Sequence, residues 1–142
     1  MRALSLTQPW ATAVARELKR WETRSWPTHF RGEVCIHAAK GFPGWAKEFA
    51  REENLTDLPL GAIVCVATLT ECRQTTPLLL SELSEQEQKW GDYAPGRYAF
   101  KLENIRALTR PVWARGALGI WAVGWDDGNA VLRDLKAQGV AA

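Results

Sequence analysis

The segment that decides the fold is Lys19-Arg20-Trp21-Glu22-Thr23-Arg24-Ser25-Trp26, in which charged and aromatic residues are interleaved. In an extended strand, successive side chains point to opposite faces. One face of this segment then carries Glu22, Arg24 and Trp26, and the other carries Trp21, Thr23 and Ser25. An acid, a base and a large aromatic make a poor core face, but they suit the floor of a pocket that binds a planar polar ligand. The alternative is an edge strand in solvent with an ordinary ion pair.

Length and composition set the class of protein. A chain of 142 residues with 46% hydrophobic and 24% charged residues is typical of one globular domain with a real core. The longest apolar run, residues 62–67, is too short to span a bilayer. The opening Met-Arg-Ala-Leu-Ser-Leu lacks the apolar stretch of a secretion signal. We therefore expect a single cytoplasmic domain over residues 1–142 that does not bind membranes.

The net charge of +2 is unevenly distributed along the chain. Residues 1–51 carry nine Lys or Arg and four Asp or Glu, whereas residues 52–142 carry nine and twelve. The basic half also contains Trp10, Trp21, Trp26 and Trp45. Basic charge mixed with aromatic surface suits phosphate contact and base stacking, although most tryptophans of a small barrel pack in its core.

Hydrophobic periodicity predicts an α+β chain. Strands are predicted at residues 2–6, 20–26, 33–38, 62–69, 98–102 and 118–123. Helices are predicted after Thr7, at 45–53, at 77–90 around the capping box Ser84-Glu85-Gln86-Glu87, and after Asp126 or Asp127. Thr7 is the expected cap of the first helix, whose apolar stripe is Trp10, Val14 and Leu18. Five or six short strands with helices at their ends predict a small, partly open β-barrel.

The cysteines and histidines indicate no metal site. Cys35, Cys65 and Cys72 form no Cys-x-x-Cys pair, and the first two lie in apolar runs that favour buried reduced thiols. Only His29 and His37 are available to join them, and no ligand spacing fits. We therefore expect neither a metal nor a cofactor.

Several motifs together resemble the ASCH domain family. They are Leu4-Ser5-Leu6-Thr7-Gln8-Pro9-Trp10, Lys19-x-x-Glu22-x-Arg24-Ser25-Trp26-Pro27, Arg31-Gly32, Ile36-His37-Ala38, Leu60-Gly61-Ala62-Ile63-Val64, Arg97-Tyr98-Ala99-Phe100 and Gly116-Ala117-Leu118-Gly119-Ile120-Trp121. The resemblance covers residues 2–125 and leaves 126–142 as a C-terminal helical extension. The signature of the family is Gly-x-Lys-x-x-Glu-x-Arg, and Glu17 replaces the glycine here. The resemblance implies a PUA-like β-barrel with flanking helices that binds nucleic acid, most often RNA, in a cleft beside the signature.

The chemistry of the signature residues fits such a cleft. Glu22 would accept hydrogen bonds from amines of a base edge, and Arg24 would donate to a carbonyl or phosphate, or hold Glu22 in place. Lys19 would contact phosphate. Trp26 or Trp10 would stack on a base, a contact worth roughly 1–3 kcal/mol.

The remaining candidate nucleic-acid contacts are Gln8, Arg31, His37 and Lys40. Gln8 belongs to the first family motif. Arg31 and Lys40 are ordinary solvated charges unless the barrel places them at the rim of the cleft. His37 is predicted on the strand face opposite Val34 and Ile36, where a structural histidine is more common than a catalytic one.

Two functions follow from these residues. The preferred one is a module that binds single-stranded RNA or a flipped, modified base. The alternative is a small hydrolase, because some ASCH proteins resemble amidohydrolases that deacylate a modified cytidine and others look like ribonucleases. The amidohydrolase branch carries threonine at the position of Glu22, and Thr23 is predicted to face the other side of the strand. An enzyme would then use Lys19 and Glu22 as its base and acid. The partner is RNA or a modified nucleoside in either case, and the sequence carries no signal for an oligomeric state.

Overall fold

The computed structural model describes residues 1–140, which fold into six strands and five helices. The strands are Arg2–Leu6 (β1), Trp21–Arg24 (β2), Gly32–Ala38 (β3), Ala62–Gln74 (β4), Tyr98–Trp113 (β5) and Ile120–Ala122 (β6). The helices are Trp10–Ala15 (α1), Gly44–Glu52 (α2), Pro77–Glu82 (α3), Glu85–Lys89 (α4) and Trp125–Ala137 (α5). Residues 141–142 of the predicted C-terminal extension lie outside the described residues.

All six strands belong to one sheet in the order β2-β5-β4-β3-β1-β6. β1 and β3 run parallel, and the other neighbours are antiparallel. The pairing of β4 with β5 shifts register at Ile63/Cys65, Val66/Thr68 and Leu69/Glu71. Such irregularities increase the local twist of a sheet, and here the long central strands curl it into a half-barrel. The predicted α+β, partly open barrel is therefore confirmed.

The curled sheet packs against core residues on both faces. Val34 and Ile36 of β3 lie in the main cluster beneath α1, whereas Cys35 joins a second cluster with Val131 and Leu135 of α5. This alternation matches the prediction from the sequence. Cys35 and Cys65 are buried free thiols, and burial raises the pKa of Cys35 to about 11.

The start of α1 differs from the prediction. Thr7 does not cap the helix with its side chain, but its carbonyl oxygen accepts from the backbone of Trp10 at 3.0 Å. The capping role falls to Gln8, whose Oε1 accepts from the backbone N–H of Thr12 at 3.0 Å. The helix ends at Ala15, so the predicted apolar stripe does not continue to Leu18.

The predicted helix at 77–90 is two helices, because two hydroxyls each begin one. Thr76 Oγ1 accepts from the backbone of Leu79, and Ser84 Oγ accepts from that of Glu87. In the predicted capping box, Glu87 would reach back to Ser84. Its carboxylate instead accepts from the backbone N–H groups of Arg20 at 2.7 Å and Trp21 at 3.4 Å, which fastens α4 to the start of β2.

The ends of several other strands and helices also differ from the prediction. β2 ends at Arg24, so the predicted strand is too long at its C-terminal end, whereas β5 extends well beyond the predicted residue 102. The predicted strand 118–123 shortens to β6. The N-cap of α5 is Gly124, and both Asp126 and Asp127 lie in its first turn rather than at the cap. No helix within residues 1–140 is long and apolar enough to span a bilayer.

Candidate functional site

A cleft of about 510 Å³ opens beside the edge strand β2, and we call it the Glu22 cleft. Its lining comes from β1, α1, β2, α2, α4 and the segments that connect them, including the loop before β5: Ser5, Thr7, Trp10, Lys19, Glu22, Thr23, Arg24, Trp45, Lys89, Trp90, Gly91, Asp92 and Arg97. Of the sequence-predicted site residues, the structure brings Lys19, Glu22, Arg24 and Trp10 together here.

A tight turn after α1 delivers Lys19 to this cleft. The backbone N–H of Leu18 donates to Ala13 O at 2.8 Å, and that of Glu17 donates to Val14 O at 3.0 Å. This pair of bonds is a Schellman motif, which requires a left-handed residue after the helix. Glu17 occupies that position with φ of 58°. The family signature has glycine there because glycine adopts a positive φ without a Cβ clash.

Lys19, Glu22 and Arg24 form one charged network on the floor of the cleft. Lys19 Nζ lies 2.6 Å from Glu22 Oε1, and Arg24 Nη2 lies 3.0 Å from Glu22 Oε2. Lys19 is 1% exposed and Glu22 is 9% exposed. Burial acts to raise the pKa of Glu22, but the charges and hydrogen bonds of Lys19 and Arg24 outweigh it, so the pKa lies below its usual value. The carboxylate therefore stays ionised and is held at both oxygens.

Arg24 also spans the open side of the half-barrel. β2 and β1 are not neighbours in the sheet order, yet Arg24 Nη2 donates to the backbone oxygen of Ser5 on β1 at 2.6 Å. The guanidinium thus links the two sides of the cleft and fixes their separation.

Thr23 was predicted to face away from Glu22, but it lines the same cleft, so this prediction was wrong. The loop before β5 folds over the short edge strand. Within it, the backbone N–H of Asp92 donates to Thr23 Oγ1 at 3.3 Å, and Arg97 Nη2 donates to Thr23 O at 3.2 Å. An edge strand has one free side in the plane of the sheet, and the cleft wraps around that side. Trp21 does face away as predicted, in a cluster with Leu79.

Aromatic rings form one wall of the cleft. Trp10 stacks on Phe49 with ring centroids 5.2 Å apart and meets Trp45 at 5.6 Å. Trp90 packs edge-on against Phe49 at 4.8 Å. Trp90 is buried, but Trp45 is 66% exposed at the mouth of the cleft. Trp45 is therefore the ring with open surface for a stacking ligand, supported from behind by Trp10.

Three predicted contacts do not line the Glu22 cleft. Trp26 follows the end of β2 and packs edge-on against Phe100 with ring centroids 5.3 Å apart, so this partly buried side chain covers the main core cluster. Gln8 is fully buried and donates to Pro59 O at 3.0 Å, which is a structural role. Arg31 is exposed and donates to the nearby backbone oxygens of residues 28 and 30.

His37 and Lys40 line a different cavity of about 1130 Å³, which we call the Trp113 groove. Its lining comprises Ser5, His37, Ala39, Lys40, Leu60, Gly61, Trp113, Ala114, Arg115, Gly116, Ala117 and Leu118. His37 is 1% exposed, so it does not reach the Glu22 cleft as a free ligand. Ser5 lines both cavities and separates them.

The sequence reasoning missed the far wall of the cleft. Trp45, Lys89, Asp92 and Arg97 come from α2, α4 and the loop that follows, all distant from the signature in sequence. Arg97 had a signal, since it begins one of the family motifs. Asp92 and Lys89 had none, because a charge in a polar loop or on a short helix is normally solvated.

The fold and family are established by comparison with known proteins. The model of the ASCH domain family matches residues 4–111, well over half of the chain. The crystal structure of ASCH from Zymomonas mobilis is 16% identical, with a TM-score of 0.62 over 93% of each chain. Two mutants of that protein, a tyrosine-to-phenylalanine and a serine-to-alanine variant, are each 18% identical with TM-scores of 0.60; they cover 93% of this chain and 96% and 94% of theirs. At these identities the likeness shows the fold alone, and no curated protein matches the sequence. The match to the family model is decisive, and the chain belongs to the ASCH domain family.

Proposed function

We propose that this protein binds single-stranded RNA by holding one base in the Glu22 cleft. The observation that carries the proposal is the juxtaposition of an ionised, doubly held carboxylate with an exposed tryptophan. Glu22 lies on the floor and Trp45 at the mouth of a cleft of about 510 Å³, a volume within the usual range for small-molecule sites. RNA-binding proteins recognise unpaired bases in this way, by stacking on an aromatic ring and hydrogen-bonding to the base edge.

Each residue has a separate part in this proposal. Glu22 accepts hydrogen bonds from the amino or ring N–H groups of the base, and its fixed position makes it selective for donor edges. Arg24 donates to a base carbonyl or a neighbouring phosphate. Lys19 is too deeply buried to serve mainly as a phosphate contact, so we assign it the role of holding Glu22. Lys89 and Arg97 also line the cleft, where each is paired with a carboxylate, so we assign them a part in its shape.

Binding of a labelled single-stranded RNA to the Trp45→Ala variant tests the proposal. Because base stacking is worth roughly 1–3 kcal/mol, we expect the dissociation constant to rise about tenfold or more. Trp125→Ala is the matched control, since Trp125 is 82% exposed and lines neither cavity. Equal affinity of both variants would remove Trp45 from the site, and absence of RNA binding by the unaltered protein would refute the function.

One observation favours the hydrolase alternative: Thr23, which carries a hydroxyl, lines the same cleft as Lys19. The backbone N–H of Asp92 donates to this hydroxyl, so the oxygen is oriented and its own proton is available for transfer. A threonine activated by a nearby base can act as a nucleophile toward an acyl group. Thr23 would then take the role of the threonine that the amidohydrolase branch carries at the position of Glu22.

Turnover assays distinguish the two functions. The protein is incubated with N-acylated cytidine and, separately, with short RNA, and the products are separated by chromatography. We expect no release of free acid and no cleavage of RNA. Release of acid that is lost in Thr23→Val, with binding of the nucleoside retained, would establish the hydrolase instead.

A further inference from the structure

The Trp113 groove has a rigid floor built by a chain of hydrogen bonds. Trp121 Nε1 donates to Ser5 Oγ at 3.0 Å, and Ser5 Oγ lies 2.9 Å from His37 Nδ1. His37 Nε2 lies 2.7 Å from Ala114 O, and because a carbonyl only accepts, this nitrogen carries the hydrogen. In the tautomer with its hydrogen on Nε2, the ring accepts from the Ser5 hydroxyl at Nδ1. The side-chain polar atoms of Ser5, His37 and Trp121 all have partners within this series of hydrogen bonds. The series therefore fixes the loop after β5 against β1 and β3.

Gly116 shows how closely that loop approaches the floor. A Cβ at this position would lie 2.7 Å from His37 Cε1 and 2.8 Å from Ser5 Oγ, distances that side chains essentially never show. The loop is therefore pinned at Gly116, and the residues on either side of it form one wall of the groove.

The surface of the groove is basic and aromatic. Lys40 and Arg115 are exposed on it, and within residues 1–140 neither has a carboxylate within ion-pairing distance. No aspartate or glutamate is found among the groove's lining residues in the described chain. Trp113 is 64% exposed and Leu118 is 98% exposed. Exposed apolar rings beside unpaired cations mark an interaction surface, and the positive charge selects an anionic partner.

The position of the groove identifies that partner. Ser5 lines both the groove and the Glu22 cleft, so the two cavities are adjacent at this residue and the groove is a neighbouring surface for a strand held in the cleft. A tryptophan face and free cations are the two elements that proteins use to bind single strands, by stacking and by phosphate contact. We propose that the Trp113 groove is a second RNA-binding subsite, which holds the nucleotides adjacent to the base in the Glu22 cleft. Trp113 stacks on a base, and Lys40 and Arg115 contact the backbone. This inference rests on the proposed function of the cleft.

Length dependence of binding tests the subsite. Labelled single-stranded RNA of about ten nucleotides and a single nucleoside monophosphate are titrated against the unaltered protein, Trp113→Ala and Trp125→Ala. We expect Trp113→Ala to weaken binding of the oligonucleotide about tenfold, to leave binding of the monophosphate unchanged, and Trp125→Ala to change neither.

Salt dependence gives an independent measure from the same groove. Each phosphate contact to a single strand contributes about 0.7 to the slope of log affinity against log salt concentration. Lys40→Ala should therefore lower the slope by about that amount. The matched control is Lys136→Ala on α5, which is exposed and lines neither cavity, and it should leave the slope unchanged.

The outcomes separate this inference from the function on which it rests. If Trp45→Ala weakens oligonucleotide binding while Trp113→Ala and Lys40→Ala do not, the cleft binds RNA and the groove is not part of the site. Equal weakening of monophosphate and oligonucleotide by Trp113→Ala also overturns a separate subsite. If the unaltered protein binds no RNA, both proposals fail. Melting temperatures of all variants, which we expect within a few degrees of one another, exclude loss of fold as the cause.

Discussion

The Glu22 cleft and the Trp113 groove both contain lysine, arginine and tryptophan, but the cations are paired with carboxylates in the cleft and, among the described residues, unpaired in the groove. In the cleft, Lys19 and Arg24 share Glu22, Lys89 pairs with Glu53, and Arg97 lies 3.6 Å from Asp92. In the groove, Lys40 and Arg115 have no such partner within residues 1–140. Paired charges in a buried network hold a shape, whereas unpaired charges in solvent are available to an anion. The difference indicates that the cleft supplies selectivity and the groove supplies charge.

The largest expected effect is the loss of stability in Glu22→Ala. Removing this carboxylate leaves two cations facing a largely buried site, and breaking a buried ion pair in this way costs roughly 3–5 kcal/mol. The free energy of unfolding is measured by urea titration. Lys40→Ala in the groove should change it by less than about 0.5 kcal/mol, as surface substitutions usually do. A cleft variant as stable as the groove variant would show that Glu22 is not a structural centre.

Acid should weaken the charged network of the cleft, because that network is centred on the Glu22 carboxylate. The pKa of Glu22 is lowered in the folded protein, so its contribution to stability is complete above its usual value of 4.5 and is lost as the pH falls through the lowered folded value. The stability difference between the unaltered protein and Glu22→Gln should therefore shrink as the pH falls from 6 to 3. Burial raises the pKa of Glu87, which acts in the opposite direction, but this residue is present in both proteins and cancels in the difference. A difference that is constant over this range would contradict the assignment.

The smallest expected effect concerns the turn that delivers Lys19 to the cleft. Glu17→Gly should raise the free energy of unfolding by about 0.5–1 kcal/mol, because it removes a left-handed non-glycine residue and loses only an exposed ion pair with Arg20. Asn54→Gly is the matched control. Asn54 has φ of 56° in an equivalent turn after α2, but asparagine tolerates that conformation better, so the gain should be smaller. Equal gains at the two sites would show that the residue type does not decide the strain.

The local parts of the molecule followed from the sequence. β1 and the alternation of β3 were predicted because each strand has a simple apolar pattern, and buried Cys35 and Cys65 followed from the runs that contain them. The charged floor was predicted because Glu22 and Arg24 are two residues apart on one strand. The predicted caps of α1 and α5 were wrong, because a side-chain cap depends on backbone geometry that several residues can satisfy. The single helix predicted at 77–90 was wrong because a second cap, Ser84, begins a new helix within that range.

The sequence by itself determined the family, the α+β class and the charged floor of the cleft, since these depend on residues near one another in the chain or on their order. Only the tertiary structure decided which aromatic rings are exposed. Trp26 was expected at the site and packs on Phe100, whereas Trp45 reaches the mouth of the cleft. It also separated His37 and Lys40 from the cleft, because Ser5 on β1 lies between the two cavities. Burial is the sum of contacts from segments far apart in the chain, and the curl of the sheet, rather than any local pattern, brings those segments together.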